Sequence, residues 1–393
     1  MKIYIVTFEP FPHGMAATNR ILHYGRGLVA AHTDCEVVIG QRTEFYGRVR
    51  NTEAKGLYKG VPFIYPSGHI YRSKSFLKRR LDDIIDFFIL LLYLLRNLKV
   101  GDRVLLYSSR SFFTILLQLI CRAKGVKIAK ELCELPFATS NDSRLNRARR
   151  AILEKYIFPR FDGVIAISNA LQDYAMQMVD ASKIIKVPIL IDTHAYDDIV
   201  AHEHPRPYIF HGGTMYERKD AIVSTMKAYI KAMNSLETPI DFILAGPQSP
   251  HHDELNEMLR QSNLQDRVHF MGQLSHREVL AHQKGAWLSI LNKNDNPQNR
   301  CGFSTKLGDI LLAGTPVVTT TVGEANFYLE DGVNAYITHP HDPDAIASQI
   351  IRAASNESER QAIGNGGQQV ACKCFDYKQQ GLRLAAFLQH DMQ

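Results

Sequence analysis

Two stretches of this 393-residue chain carry residue types and spacings that could do chemistry. The first is His211-Gly212-Gly213-Thr214-Met215-Tyr216-Glu217-Arg218-Lys219-Asp220. Paired glycines let a backbone approach a phosphate closely. The start of a helix offers unsatisfied N–H groups and a partial positive charge. Lys219 or Arg218 would add a full charge against a diphosphate. The plainer reading is a strand, a turn and a helix with solvated charges. The second stretch begins Cys301-Gly302-Phe303-Ser304-Thr305-Lys306 and continues through Asp309 to Gly314 and Val318. Ser304 or Thr305 can cap a helix there, and Gly314 can end it. Lys306 and Asp309 are three apart and share a helix face. A carboxylate so placed can accept bonds from the paired hydroxyls of a ribose. The plainer reading is an i to i+3 salt bridge.

These stretches need strands and helices to hold them. Ile3–Phe8, Glu36–Gly40, Arg103–Ser108, Lys127–Glu131 and Gly163–Ile167 read as strands. Helical patterns lie between them, near 18–31, 112–124 and 145–157. The rhythm recurs later. Tyr208–His211, Phe242–Ala245, Val268–Met271, Trp287–Leu291 and Pro316–Thr320 predict strands, with helices near 220–233, 253–262, 276–284, 305–313 and 344–355. Strands alternating with longer helices argue for parallel βαβ units. The expected fold class is therefore α/β, as two Rossmann-like domains facing each other across a cleft. The expected boundaries are 1–195 and 196–375, with a C-terminal helix near 376–393 packing back on the first domain. Open α/β sheets bind ligands at the carboxyl ends of their strands.

Composition limits the options. With 45% hydrophobic and 22% charged residues the chain can bury two cores. A net charge of +6 suits phosphate-bearing ligands or an anionic surface. The six cysteines are scattered, without zinc spacing or a disulfide framework, which suits a reducing, cytoplasmic setting. Met1-Lys2 leads straight into an apolar strand rather than a targeting segment. The longest apolar run, Phe87 to Leu95, is short of the roughly 20 residues that cross a bilayer and reads as a buried helix. No Gly-x-Gly-x-x-Gly follows the first strand, which speaks against a dehydrogenase. No RNA motif or helix-turn-helix accompanies the basic clusters.

The order of several pieces then resembles glycosyltransferase family 4, a group of retaining GT-B enzymes. The Lys306-Leu-Gly-Asp309-Ile-Leu-Leu-Ala-Gly314-Thr-Pro316 pattern is similar to its donor-site signature. The loop from Gly213 to Lys219 resembles its pyrophosphate loop. Ala245-Gly246-Pro247, the run Val268 to Gly272, Val322-Gly323-Glu324, the early Gly14-Met15 to Asn19-Arg20 loop and the strand ending at Ser168 fit as well. Residues 45–100 fit loosely.

The resemblance implies a transferase that moves a hexose-type sugar from a nucleotide-diphosphate sugar to a glycan or lipid-linked acceptor, with no cofactor and no metal. It implies Lys219 and Asp309 as the catalytic pair, against the diphosphate and the ribose. Gly212, Gly213, Thr214, Arg218, Gly246, Cys301, Phe303, Ser304, Thr305 and Lys306 complete the implied donor site. Gly14, Met15, Asn19, Glu131, Cys133 and Glu134 fall on the acceptor side, with a structural salt bridge as the other reading of the two glutamates. The chain departs from the family where Cys301 replaces a glutamate, Thr214 an arginine and Cys133 a histidine. Polysaccharide or lipopolysaccharide assembly is the implied context. A sugar-nucleotide epimerase and a non-catalytic nucleotide-sugar-binding subunit are the rival readings. Two basic groups, Arg72, Lys74, Lys78, Arg79 and Arg80, and Arg144, Arg147, Arg149 and Arg150, suggest peripheral contact with an anionic inner membrane face. Solvated helix faces are the alternative.

Overall fold

The computed structural model describes residues 1–47, 49–137 and 143–392, leaving aside the Asp391 side chain. The chain divides into two units, residues 1–190 with 377–393, and residues 191–376.

The first unit is built on β1 (Lys2–Thr7), α1 (Ala16–Ala30), β2 (Asp34–Ile39), β3 (Lys55–Tyr58), β4 (Val61–Ile64), α2 (Phe76–Asn97), β5 (Arg103–Tyr107), α3 (Ser111–Ala123), β6 (Lys127–Leu132), α4 (Arg144–Ile152), β7 (Gly163–Ala166), α5 (Asn169–Met176) and β8 (Ile184–Lys186). Its eight-stranded sheet has the order β3-β4-β2-β1-β5-β6-β7-β8 and is parallel except for the β3–β4 hairpin. The central strands are buried on both faces, which is why they read as near-continuous apolar runs.

The second unit contains β9 (Tyr208–Gly212), α6 (Glu217–Asp220), α7 (Ile222–Met233), β10 (Asp241–Ala245), α8 (His252–Gln261), β11 (Val268–Gly272), α9 (His276–Gly285), β12 (Leu288–Leu291), α10 (Pro297–Cys301), α11 (Thr305–Leu312), β13 (Val317–Thr320), β14 (Tyr336–Thr338), α12 (Pro343–Ser355) and α13 (Glu357–Cys374). All six strands are parallel, in the order β11-β10-β9-β12-β13-β14. The strand order reverses between β9 and β12. That is the point where open α/β sheets place their ligands.

The chain then returns to the first unit as α14 (Tyr377–Ala386), which packs on α1. Their backbones nearly touch. A Cβ at Gly381 would lie 2.4 Å from the Gly27 Cα.

Three expectations change. The helix expected from 220 is broken, because Ala221 has a φ of 44° and separates the single turn α6 from α7. The stretch 45–100 holds the β3–β4 hairpin and the long α2. The apolar run from Phe87 to Leu95 is not a buried helix. Only Leu90 and Leu94 of that run are buried.

Candidate active site at the switch point of the second sheet

The site grows from the exit of β9. Gly213 follows the strand, and its N–H donates to the Ala245 carbonyl at the end of β10, at 2.8 Å. Three polar side-chain atoms converge over its Cα. A Cβ built there would lie 2.5 Å from Lys306 Nζ, 2.7 Å from His211 Nε2 and 2.8 Å from Asp220 Oδ2. Only glycine leaves that space open. Gly246 is equally constrained, since a Cβ on it would lie 1.9 Å from the Gly213 carbonyl oxygen.

Asp220 is the buried centre of this group, 1% exposed. One carboxylate oxygen accepts from Lys306 Nζ at 2.8 Å and from Lys293 Nζ at 3.1 Å. The other accepts from the Thr214 N–H at 2.8 Å and its hydroxyl at 2.6 Å. Burial works to raise the Asp220 pKa, but Lys306 and Lys293 outweigh it and hold the carboxyl far below the usual carboxylate range. Burial pushes the Lys306 amine down to about 8, against the pull of Asp220. Beside them, His211 donates Nδ1–H to the Ile290 carbonyl at 2.9 Å, and its buried Nε2 has no partner among the described residues. Burial, with Lys306 next, pushes that imidazole down to about 4, so it is neutral at pH 7.

The loop is braced from the exit of β12. The Asn294 amide donates to the Glu217 carbonyl at 2.6 Å, Asn296 donates to the Arg218 carbonyl at 3.0 Å, and Lys293 Nζ donates to the Lys219 carbonyl at 3.0 Å. Met215 and Ala221 lie on either side of α6 with φ values of 58° and 44°. Such backbone costs free energy in a non-glycine residue and persists where its surroundings enforce it. It leaves Arg218 and Lys219 with exposed side chains.

The second predicted stretch forms α11, which begins next to this loop through Lys306. Ser304 takes the N-cap position without a side-chain capping bond. Lys306 does not pair with Asp309 along the helix, since its carboxylate partner is Asp220. Burial pushes the Asp309 carboxyl up to about 6. Phe303 turns inward. It is buried, stacked on Tyr328 at 5.4 Å between centroids and edge-on to Phe375 at 5.5 Å, so it anchors the loop. Cys301 ends α10, half-buried, and burial pushes its thiol up. The Val322-Gly323-Glu324 turn packs on this loop. A Cβ at Gly323 would lie 2.5 Å from the Asn299 carbonyl oxygen.

In the first unit Glu131 forms a salt bridge. It is buried, with one oxygen on Arg20 Nε and the other on the Tyr24 hydroxyl, both at 2.7 Å. Arg20 continues to the carbonyls of Val187 and Pro188. Cys133 Sγ is 3.3 Å from the Tyr107 hydroxyl. Gly14 is held tightly, since a Cβ there would overlap the Thr18 hydroxyl, which donates to the Pro10 carbonyl. Met15 is exposed at the N-cap of α1, and the Asn19 N–H donates back to its carbonyl. Glu134 lies close enough to Glu9 to help raise the Glu9 pKa, behind burial as the larger cause.

One group with metal-ligand chemistry lies elsewhere, at the start of β10. His204 and His269 turn Nε2 atoms to Asp241, at 2.8 and 3.3 Å. Arg206 and Arg267 also contact this carboxylate, at 2.9 and 3.4 Å. Two fixed guanidinium charges already neutralise it, which makes it a charge cluster rather than a good cation site.

Sequence comparison decides the family of the sheet that carries the lysines. Residues 177–370 match glycosyl transferases group 1. That matched stretch belongs to this family. A curated relative, 2-deoxystreptamine N-acetyl-D-glucosaminyltransferase of Niallia circulans, is 24% identical over 140 residues, which span 36% of this chain and 34% of that protein. The match therefore covers about a third of the relative's length. Sucrose-phosphate synthase from Thermosynechococcus elongatus aligns with a TM-score of 0.72 at 15% identity, covering 98% of this chain and 97% of that one. Anabaena HepE in complex with UDP aligns at 0.68 and 16% identity, covering 98% of each chain. These likenesses over nearly the whole length show the GT-B fold.

Sequence reasoning listed Lys306 but missed its partners Asp220 and Lys293. Each stands at a strand exit or turn, but their meeting depends on the strand order. Lys293 stands two residues past the end of β12, and Asp220 closes the glycine loop's single turn.

Proposed function

We propose that this chain transfers a hexose-type sugar from a nucleotide-diphosphate sugar to a glycan or lipid-linked acceptor, with retention at the anomeric carbon, in cell-surface polysaccharide or lipopolysaccharide synthesis. The observation that carries this reading is the convergence of Lys306 and Lys293 on a glycine-lined strand exit at the switch point of a group 1 domain. HepE, similar in fold, is described in complex with UDP. In this reading the diphosphate lies against Gly213 and the start of α11. Lys306 and the exposed Lys219 face its oxygens, and Asp309 accepts from the ribose. When the bond from C1 to the phosphate oxygen breaks, the electron pair goes to the leaving diphosphate. Fixed positive charge stabilises that anion where it develops. The acceptor hydroxyl adds to C1 from the same face and gives its proton to the departing phosphate oxygen. Side-chain cations supply the charge, so turnover is expected to persist in EDTA.

The test begins with thermal shift against nucleotide diphosphates and their sugars. A ligand that binds only the folded state stabilises it by roughly 2.7 kcal/mol at a hundred times its dissociation constant. Selective stabilisation by one nucleotide sugar, followed by an axial-to-axial or equatorial-to-equatorial product in NMR, is the expected result. Conversion of the sugar without acceptor would replace the reading with an epimerase, and no stabilisation by any of them would overturn it.

The same ligand should bind with a defined pH profile. Lys306, at about 8, loses its proton above that pH, and Asp309, at about 6, gains one below it. Affinity is expected to be flat between these values. It should fall by up to about tenfold per pH unit above 8, the slope of a single-proton loss. Lys306→Arg should remove the alkaline limb, because a guanidinium stays charged. Calorimetric titration from pH 5 to 9.5 reads both limbs, and a profile without an alkaline limb would remove Lys306 from the diphosphate site.

A further inference from the structure

The outer face of α2 has no role in the donor site, and its residues are unusual for a helix on a sheet. Asp82, Asp86, Leu90 and Leu94, four apart, form the buried stripe. The opposite stripe is also apolar. Leu77, Leu81, Ile84, Phe88, Leu92 and Leu95 follow helical spacing along one side, and each is between 42% and 78% exposed. From Leu77 to Leu95 this line runs about 27 Å, at 1.5 Å per residue. The neighbouring α3 extends it with Phe112 and Leu119, 68% and 59% exposed, and Phe112 stacks on Phe87 at 5.9 Å. Exposed apolar surface of this continuity marks an interaction site.

The charge on the same helices is one-sided. The connections β4 to β5, β5 to β6 and β6 to β7 all step in one direction along the sheet, so right-handed crossovers place α2, α3 and α4 on one face. Together these helices hold nine basic residues and three acidic ones, a net +6. The whole chain has 46 basic and 40 acidic residues, also +6, so the rest of it balances at 37 of each sign. Two of the three acids are turned away from the face. Asp82 and Asp86 are turned inward onto Arg42, at 2.9 and 3.2 Å, and Asp83 lies against Arg72 and Arg80. No helix among the described residues is long and apolar enough to cross a membrane.

We propose that the face formed by α2, α3 and α4 docks on an anionic lipid bilayer, with the outer stripe of α2 entering the interface and the basic side chains of α2 and α4 on the lipid headgroups. Apolar side chains on one face of a helix, flanked by lysine and arginine, suit the boundary between headgroups and acyl chains. The charge selects an anionic surface over a neutral one. This inference is independent of the donor-site reading, because every residue in it lies in the first unit.

Flotation with vesicles of phosphatidylcholine alone, or with 30% phosphatidylglycerol, tests it. The protein is expected to float with the anionic vesicles at low salt and to be released at high salt. Leu81→Glu with Phe88→Glu should abolish flotation. Lys78→Glu with Arg149→Glu should weaken it at least about tenfold, since each basic residue near such a surface contributes about 1 kcal/mol. Unchanged circular dichroism and melting temperature verify that both variants fold. Absence of wild-type protein from the anionic vesicles would overturn the proposal, as would equal binding to neutral ones. Retained binding by Leu81→Glu/Phe88→Glu would overturn it too. Self-association in sedimentation, lost in that variant and without vesicle binding, would reassign the face to a second copy of the chain.

Discussion

Lys306→Met is expected to reduce sugar transfer by a factor of about 10²–10³, the usual effect of removing one fixed stabiliser of transition-state charge. The Nζ atom is 2.8 Å from Asp220 Oδ1, and a Cβ on Gly213 would stand 2.5 Å from it. The amine therefore overlooks the open space above Gly213. Its side chain is about a third exposed, so a ligand can reach it. Methionine keeps the length and the packing but not the charge. The loss should fall on kcat more than on KM, since the charge it meets develops as the donor bond breaks. Lys306→Arg keeps the charge and should recover part of the rate. Lys219→Ala tests the exposed cation from the sequence signature in the same assay. Steady-state rates of the three variants, compared at saturating donor, separate the roles. An unchanged rate in Lys306→Met would show that the amine serves only Asp220.

The parts of this molecule that were legible from sequence are those governed by local rules. Short apolar runs between helical patterns marked most strands of both sheets, because parallel strands buried on both faces carry no polar alternation. The two site stretches were legible for the same reason, as each lies within a single strand-to-helix connection. What escaped depends on the order of strands. Lys293 and Asp220 are 73 residues apart and meet only because β12 lies beside β9. Asp309 seemed the natural partner of Lys306 at three residues' distance, yet the lysine turns across the sheet to a buried carboxylate. A buried ion without a partner is far more costly than an exposed one. The break at Ala221 was hidden as well, since nothing in an alanine announces a left-handed backbone. Glu131 is a similar case. Its partners Arg20 and Tyr24 come from α1, which no local pattern ties to β6. The apolar run of α2 was misread because hydrophobicity alone does not say which way a helix face points.

Asp220→Ala should destabilise the second unit more than any other single change at the site. Removing one partner of a buried ion group typically costs about 3–5 kcal/mol, because the remaining charges stay buried. Here Lys306 and Lys293 would face each other without a counter-ion, and the Thr214 N–H and hydroxyl would lose their acceptor. For a domain of this size the melting temperature should fall by roughly 10 °C. The sign of the pH dependence follows from the lowered pKa of Asp220. A depressed carboxylate contributes stability that is complete above its unfolded value near 3.9 and is lost as pH falls below it. Wild type should therefore lose stability below about pH 4 more steeply than Asp220→Ala does. The double variant Asp220→Asn/Lys306→Met separates structure from chemistry. It removes one charge of each sign, so much of the stability should return while transfer stays at the level of Lys306→Met. Differential scanning calorimetry between pH 3 and 7, run beside the transfer assay, gives both readings. A double variant as unstable as Asp220→Ala would mean that Lys293, still buried without its counter-ion, rather than Lys306 makes this carboxylate indispensable to the fold.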